Sequence, residues 1–407
     1  MPTHPEGGPR PLPARPDLRH LKDQAKDLLR SGGATSLANA LFAVAREYGF
    51  ASWTKLKNHV EARLAIGQLA DAIDADDVDR VKALLTANPG LHRAPIGYGG
   101  SGALTRVAEC RTLQGVTPAR LAMAAWLIEH GSDVHQDGDA PLGRAALNGS
   151  RVPMMELLVS RGADVNGAYK GMFPVILAPC ESVDPEALRW LLERGANPNC
   201  ADPTRQFRDG ALDYVIGSYV RSPELAQCME ILLAAGATTR FDIPPVLNLL
   251  RGRLDTLSEQ LAADLHLVHA RFPSLDVGTS GERMLTLRGG TLLHVAAEYE
   301  PAGRAAALLL DAGADVNARA DIDAAGVGGQ TPLFHAVTHG GSTHRWLAVS
   351  RLLIERGADV NVRARVPGHY EREGEVLDCT PLGYARRFSG GPESSTVRLL
   401  REHGARE

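Results

Sequence analysis

Two stretches, DAGADVN at 311–317 and ERGADVN at 355–361, decide how this chain is read, because the same phrase returns along it. EHGSDVH stands at 129–135, SRGADVN at 160–166 and ERGANPN at 193–199, with fainter copies, AAGATT and REHGARE, near Ala234 and at the end. Ahead of each copy lies an apolar patch such as MMELLV, LRWLLE, MEILLA, AAALLL, SRLLIE or VRLLRE. Its leucine spacing suits the buried stripe of an amphipathic helix. The glycine that follows is suited to a left-handed helix cap. A second helical signal opens with a turn before each patch: APLGRAALNG from 140, TLLHVAAEY from 291, TPLFHAVTHG from 331 and TPLGYARRF from 380. Small residues there, among them Ala145, Ala146, Ala296, Ala297 and Ala336, permit close helix packing.

The glycines recur at 131, 162, 195 and 236, then at 313, 357 and 404, a period near 33 that lengthens along the chain. Thr331-Pro332-Leu333 and the runs Gly162 to Asn166, Gly313 to Asn317 and Gly357 to Asn361 resemble the ankyrin repeat, a turn followed by two antiparallel helices. The resemblance covers residues 66–407, with repeats beginning near 66, 101, 139, 171, 209, 243, 290, 330 and 379 and degenerate stretches at 66–100 and 243–289. It implies an all-α fold: an ankyrin-repeat solenoid of about eight or nine helix-turn-helix repeats with long hairpin loops. Residues 17–65 read as an N-terminal helical cap, with LRHLKDQAKDLLR at 18–30 amphipathic and AREYGFASWTKLKNHVEARL at 45–64 broken at Gly49. Tyr48, Phe50 and Trp53 are its apolar anchors. The phrase AREYGFASW, followed by LK and HVE, resembles a helical element found ahead of ankyrin arrays in uncharacterised bacterial proteins, which implies a bacterial source and no particular activity. Residues 1–16, rich in proline, are expected to be a disordered tail.

Among 407 residues, 44 Lys and Arg face 48 Asp and Glu, and 44% of the chain is hydrophobic. Such a composition supports a large core and excludes a disordered or collagen-like chain. Residues 1–63 hold 10 basic and 6 acidic side chains. In that head Lys22, Lys26, Arg30, Lys55, Lys57 and Arg63 are interleaved with Asp23, Asp27 and Glu61, which reads as a solvated face, so no nucleic-acid partner is expected. The longest apolar run, Leu121 to Ile128, is well short of the roughly 20 residues of a membrane helix, and no secretory segment is visible. Cys110, Cys180, Cys200, Cys228 and Cys379 contain no C-x-x-C and fit reduced thiols in a cytoplasm. Neither a metal nor another cofactor is expected.

In ankyrin repeats the first helix and the preceding loop line the concave side. Outward-facing positions read along successive repeats are Arg106 and Glu109, Arg144 and Asn148, Leu177 and Glu181, Tyr214 and Ser218, and Asn248 and Arg251. Glu298 and Tyr299, His335 and His339, and Tyr384 and Arg387 continue the series. Such a polar, partly aromatic line suits recognition of a protein or peptide. His335 and His339, with His344 and Glu298 nearby, have zinc-ligand character but lack a fixed third ligand, so they read as ordinary exposed histidines. His294 matches the consensus histidine, which by resemblance bonds within its own turn. GYGGSG at 97–102 satisfies G-x-G-x-x-G without a preceding strand and reads as a turn.

Three loops are lengthened: 200–210, 318–330 and 362–379. The last carries His369, Tyr370, Glu371, Arg372 and Asp378. These groups define an alternative: a pocket enzyme taking a small molecule, with His339 or His369 as base and Asp378 or Glu298 as acid or orienting group. No nucleophile elbow, P-loop or Cys–His spacing accompanies them, so binding is the leading expectation.

Overall fold

In a computed structural model of the chain, all residues are described except 1–7, 14–15, 110–114, 148, 150, 201–209, 219, 279–281 and 339–342, together with the side chains of 343–345. The chain divides into two compact units, Met1–Ala145 with Pro153–Ala163, and Ala146–Val152 with Asp164–Glu407.

The first unit opens with α1 (Leu18–Arg30), α2 (Leu37–Glu47) and α3 (Trp53–Asp74). Each begins where a short polar side chain caps it: Asp17 accepts from the Arg19 amide, Ser36 from Asn39 and Ser52 from Lys55. Leu21, Ala25, Ala40, Val44, Leu56 and Val60 bury one face of the three, and Tyr48, Phe50 and Trp53 pack into the same core. The break at Gly49 is real, since its φ of 83° ends α2. Two sequence expectations change here. The junction at residues 65/66 lies inside α3, because nothing in EARLAIGQLADAID stops a helix except Gly67, whose cost is only about 1 kcal/mol. Nor are residues 8–13 a loose tail: Arg10 reaches Glu47 at 2.8 Å and Leu12 packs on the helical core. The unit continues with α4 (Val78–Ala87), α5 (Ala103–Ala108) and α6 (Pro118–Glu129), α3 pairing with α4 and α5 with α6. Residues 98–100 of the glycine-rich stretch form a 3-10 turn.

The boundary between units runs through α7 (Ala140–Leu147) and α8 (Val152–Ser160). The second unit then stacks helix pairs: α9 (Leu177–Ser182) with α10 (Pro185–Glu193), α11 (Ala211–Gly217) with α12 (Glu224–Ala234), α13 (Pro244–Leu250) with α14 (Leu254–Ala263). After these come α15 (Leu292–Tyr299) with α16 (Arg304–Asp311), α17 (Pro332–Ala336) with α18 (Thr343–Glu355), and α19 (Pro381–Phe388) with α20 (Ser395–Glu402). First helices pack on first helices, α13 on α15, α15 on α17 and α17 on α19, while α16 and α20 flank α18. Short antiparallel hairpins, β1 (Ala168–Tyr169) with β2 (Phe173–Pro174) and β3 (Ala364–Pro367) with β4 (Val376–Cys379), form in two of the connecting loops.

The recurring phrase now has a physical reading. Gly313 and Gly357 take φ values of 94° and 91°, which only glycine adopts without strain. The Asp two places before the Asn accepts that residue's own amide at 2.8–2.9 Å, closing a local turn at Asp164, Asp315 and Asp359. The Asn side chain then clamps the next copy of the phrase. Asn317 Nδ2 donates to Gly357 O at 3.1 Å while its Oδ1 accepts from the Asp359 amide at 2.7 Å. Asn166 does the same with Gly195 and Asn197, Asn199 with Gly236 and Thr238, and Asn361 with Gly404 and Arg406. His135, which stands where the other copies have Asn, turns instead to Asp139 at 3.0 Å.

Asn317→Ala removes both bonds of one clamp and is expected to cost about 1–3 kcal/mol. Urea unfolding followed by circular dichroism checks this, and an unchanged midpoint would show that the clamp contributes nothing.

Candidate functional site

The helix-borne candidates are not an open face; they close on one another. Arg106, on α5, grips Asp74 with Nη2 at 2.5 Å and Nε at 3.0 Å. Arg144 reaches back to Glu109 at 2.6 Å and lies over the Tyr98 ring. In the second unit the Tyr214 hydroxyl donates to Glu181 at 3.3 Å, and His335 Nδ1 donates to Glu298 at 2.8 Å. These four pairs are 32, 35, 33 and 37 residues apart, one repeat each. A donor early in one first helix thus meets an acid late in the preceding one, because stacked helices bring those turns side by side.

At Glu298 the ladder is sealed. Its side chain and that of His335 are both 0% exposed. Buried Arg283, from the loop before α15, donates to Glu298 Oε2 at 2.6 Å, to Thr338 O and to Gly278 O. Arg221, from the loop between α11 and α12, donates to Oε1 at 3.1 Å and to Ser218 O, and lies over the ring of Tyr299. The Tyr299 hydroxyl donates to Ile216 O at 2.6 Å, and burial pushes its pKa up to about 12. Burial lowers the His335 pKa, opposed by its bond to Glu298 and reinforced by Arg283 and Arg221. With Nδ1 donating to the carboxylate, Nε2 is an acceptor, and it is buried without a partner among the described residues. His294 takes the opposite tautomer: Nδ1 accepts from the Thr291 amide and Nε2 donates to Gln330 O, the turn-bonding role its position implies. Burial, with the His335 ring 5.8 Å away, brings its pKa down to about 3.

His335 is therefore not an exposed histidine; its ring is spent on the ladder. A carboxylate orienting an imidazole is the form of a general base, but both side chains are fully buried. Tyr384 is also buried: its hydroxyl donates to Pro367 O at 2.9 Å and its ring joins Leu285, Phe334, Val366 and Phe388. Arg251 is bound bidentately to Glu230 on α12 (2.7 and 3.0 Å), and Arg387 Nη2 donates to both oxygens of Glu375 (2.7 and 2.8 Å). Asn248 bonds Gln260 of its own helix pair. Asn148 and His339, and the side chain of His344, lie outside the described residues.

The loop candidates are spread along one hairpin. Asp378, on β4, pairs with Arg363 at 2.9 Å, while His369, beyond β3, stacks on Tyr370 and has Glu282 3.4 Å from Nε2. Arg372 pairs with Glu375. The backbone of 282–284 zips to 368–370 through the Met284 amide to Gly368 O and the Tyr370 amide to Glu282 O, which anchors the start of the turn between β3 and β4 beside Arg283. Glu298, His369 and Asp378 each bond elsewhere, to His335, Glu282 and Arg363 respectively. Arg221 and Arg283 were missed by sequence reading, because each is an isolated arginine in a loop; the one available signal was an acid on a helix otherwise free of polar residues after His294.

Among the described residues no group of three or more His, Cys, Asp or Glu side chains is placed to hold a metal ion, and no helix is long and apolar enough to cross a membrane. Cys180, Cys200, Cys228 and Cys379 are free thiols, and burial pushes Cys200 and Cys379 up to about 11 and Cys228 to about 12.

Comparison with known families agrees with the stacked helix pairs. A family model of ankyrin repeats in three copies matches residues 116–202, and the single ankyrin repeat matches residues 288–321 and 328–365. The chain contains ankyrin repeats. No curated protein matches it.

Glu298→Gln keeps the shape but removes the carboxylate that buried Arg283 bonds at 2.6 Å, with an expected loss of about 3–5 kcal/mol. A loss below about 1 kcal/mol in urea titration would mean that Arg283 does not depend on this carboxylate. His294 and His335 both have folded pKa values below the ordinary value of about 6.5, so the unfolded chain binds more protons below that pH. Stability is expected to be full near pH 7.5 and to fall as the pH drops below about 6.5, at up to about 1.4 kcal/mol per pH unit from His294. Comparing urea midpoints at pH 7.5 and 5.0 tests this: His294→Gln should lose less on acidification than the parent, and an equal loss in both would rule His294 out as the source.

Proposed function

We propose that this chain is a non-catalytic recognition protein that takes a protein or peptide partner on its finger hairpins. The observation that carries this reading is the division of labour between helices and fingers. Polar groups on the first helices pair with each other, whereas the fingers present Ile322 at 61% and Tyr370 at 56% exposure, with Arg372 beside the latter. Aromatic and arginine side chains on a rigid base are the usual anchors of a binding surface. Repeats of this kind commonly serve protein–protein interaction, which supports a protein partner without naming one. The finer reading also includes a continuous array of about eight or nine repeats, and a bacterial cytoplasmic setting suggested by the head segment.

Catalysis is the weaker reading. Its acid, Glu298, is sealed from solvent, and Asp378 is engaged with Arg363.

A photo-crosslinker in place of Tyr370 is expected to capture a discrete partner from cells, while one in place of Lys57 on the head is not. Replacing Tyr370 by Ala and Ile322 by Ser should weaken the captured interaction at least roughly tenfold. A partner bound equally by the double variant would move the surface away from the fingers.

A further inference from the structure

We infer that Asn166 is a gated deamidation site: the clamp between repeats shields it while closed, and once the clamp opens the amide of Gly167 converts the side chain, so that the clamp cannot re-form. The inference does not rest on the partner-binding reading.

Of the asparagines that clamp the next copy of the phrase, Asn199 is followed by Cys200, Asn317 by Ala318 and Asn361 by Val362, whereas Asn166 is followed by Gly167. That pair is the labile one. Deamidation needs the amide nitrogen of the next residue to reach the asparagine Cγ, and a Cβ on that residue crowds the approach and narrows the backbone conformations that allow it. Glycine removes both obstacles. Asn166 is exposed and Gly167 half-buried, so water reaches the site.

The closed junction opposes each part of the reaction. The Gly167 amide donates to Asp164 O at 2.9 Å, so the attacking nitrogen is engaged in the turn. Asn166 Nδ2, the leaving group, donates to Gly195 O at 3.0 Å, and Oδ1 accepts from the Asn197 amide at 2.8 Å, which holds Cγ against the next copy. The Asn166 amide is tied in turn to Asp164 Oδ1 at 2.8 Å, and Gly167 O accepts from the Val175 amide at 2.9 Å. Opening the junction frees these groups together, and local openings cost less than global unfolding.

In the opened state the Gly167 nitrogen gives up its proton to solvent and bonds to Asn166 Cγ, while the Cγ–Nδ2 bond breaks and ammonia leaves. Water then opens the succinimide at either carbonyl, which places aspartate or isoaspartate at 166. Aspartate sets a carboxylate oxygen against Gly195 O where the amide had donated; isoaspartate also adds a carbon to the backbone. Either product loses the bond to Gly195 O, so an opening of this junction becomes permanent.

Trypsin, cutting after Arg161 and Lys170, releases the site as GADVNGAYK, and mass spectrometry of that peptide from the aged full chain measures conversion. A synthetic peptide of the same sequence supplies the unprotected rate. In mildly alkaline buffer the folded chain should convert at least roughly tenfold more slowly than the peptide, and in denaturing urea about as fast. Gly167→Ala should slow the reaction in urea. Asp164→Ala, which removes the tie to the Asn166 amide, should speed it in buffer while circular dichroism shows the helices intact. Asn166→Asp should lower the urea midpoint. Equal rates in the folded chain and the peptide, a folded-state rate indifferent to Asp164→Ala, or an unchanged midpoint for Asn166→Asp overturns the inference.

Discussion

A single carboxylate, Glu298, sets the arrangement of the second unit. Removing it from water is costly, and the cost is offset by donors that converge on it from separate segments, among them Arg221, Arg283 and His335. Each donor brings its backbone along. Arg283 draws the loop before α15 inward, and the 282–284 backbone then serves as the strip to which residues 368–370 of the longest finger zip. Arg221 ties the α11–α12 loop to α15, and Tyr299 reinforces that tie through Ile216. Burial lowers the His335 pKa against the pull of Glu298, and Arg283 and Arg221 act in the same direction as burial, which favours the neutral imidazole.

The same geometry in weaker form recurs at Arg106–Asp74, Arg144–Glu109 and Tyr214–Glu181. A ladder of this kind does for the first helices what the Asn clamps do for the turns. Both devices join a repeat to the next through polar groups, so stacking depends on registry as well as on apolar burial. A face whose polar residues already satisfy one another has little left to offer a partner, which shifts recognition chemistry onto the lengthened loops.

The helix pairs were legible because their signals are local: a leucine stripe, then glycine, then Asp-x-Asn, all within one repeat. Even the degenerate stretch near 243 resolved into α13 and α14, read from its prolines and leucines. The ladder was not legible. Its partners stand 32–37 residues apart, and reading one repeat at a time cannot show that a donor at Arg144 faces an acid at Glu109. The ankyrin pattern assigned those positions to an outer face, which holds only if no neighbour supplies the opposite group. Arg221 and Arg283 were out of reach for a further reason, since loop arginines are ordinarily solvated and nothing nearby in sequence marks these two as buried.

One displaced residue shows how the repeat was adapted. In the repeat from 291, Thr291 is capped by His294, three places on. In the next, that place holds Phe334 and the histidine stands one further, at 335. The shift turns the imidazole away from the turn and toward Glu298, and it leaves Thr331 Oγ1 buried without a partner. Phe334 in exchange packs against Tyr384, Val366 and Leu285, the apolar cluster under the β3–β4 hairpin, and Tyr384 closes it by bonding Pro367. A local capping bond is thus replaced by two longer-range attachments, one to the ladder and one to the finger base. The longest of the three lengthened loops stands on packed side chains and not on a free hinge, and a rigidly mounted loop loses less conformational entropy when it binds.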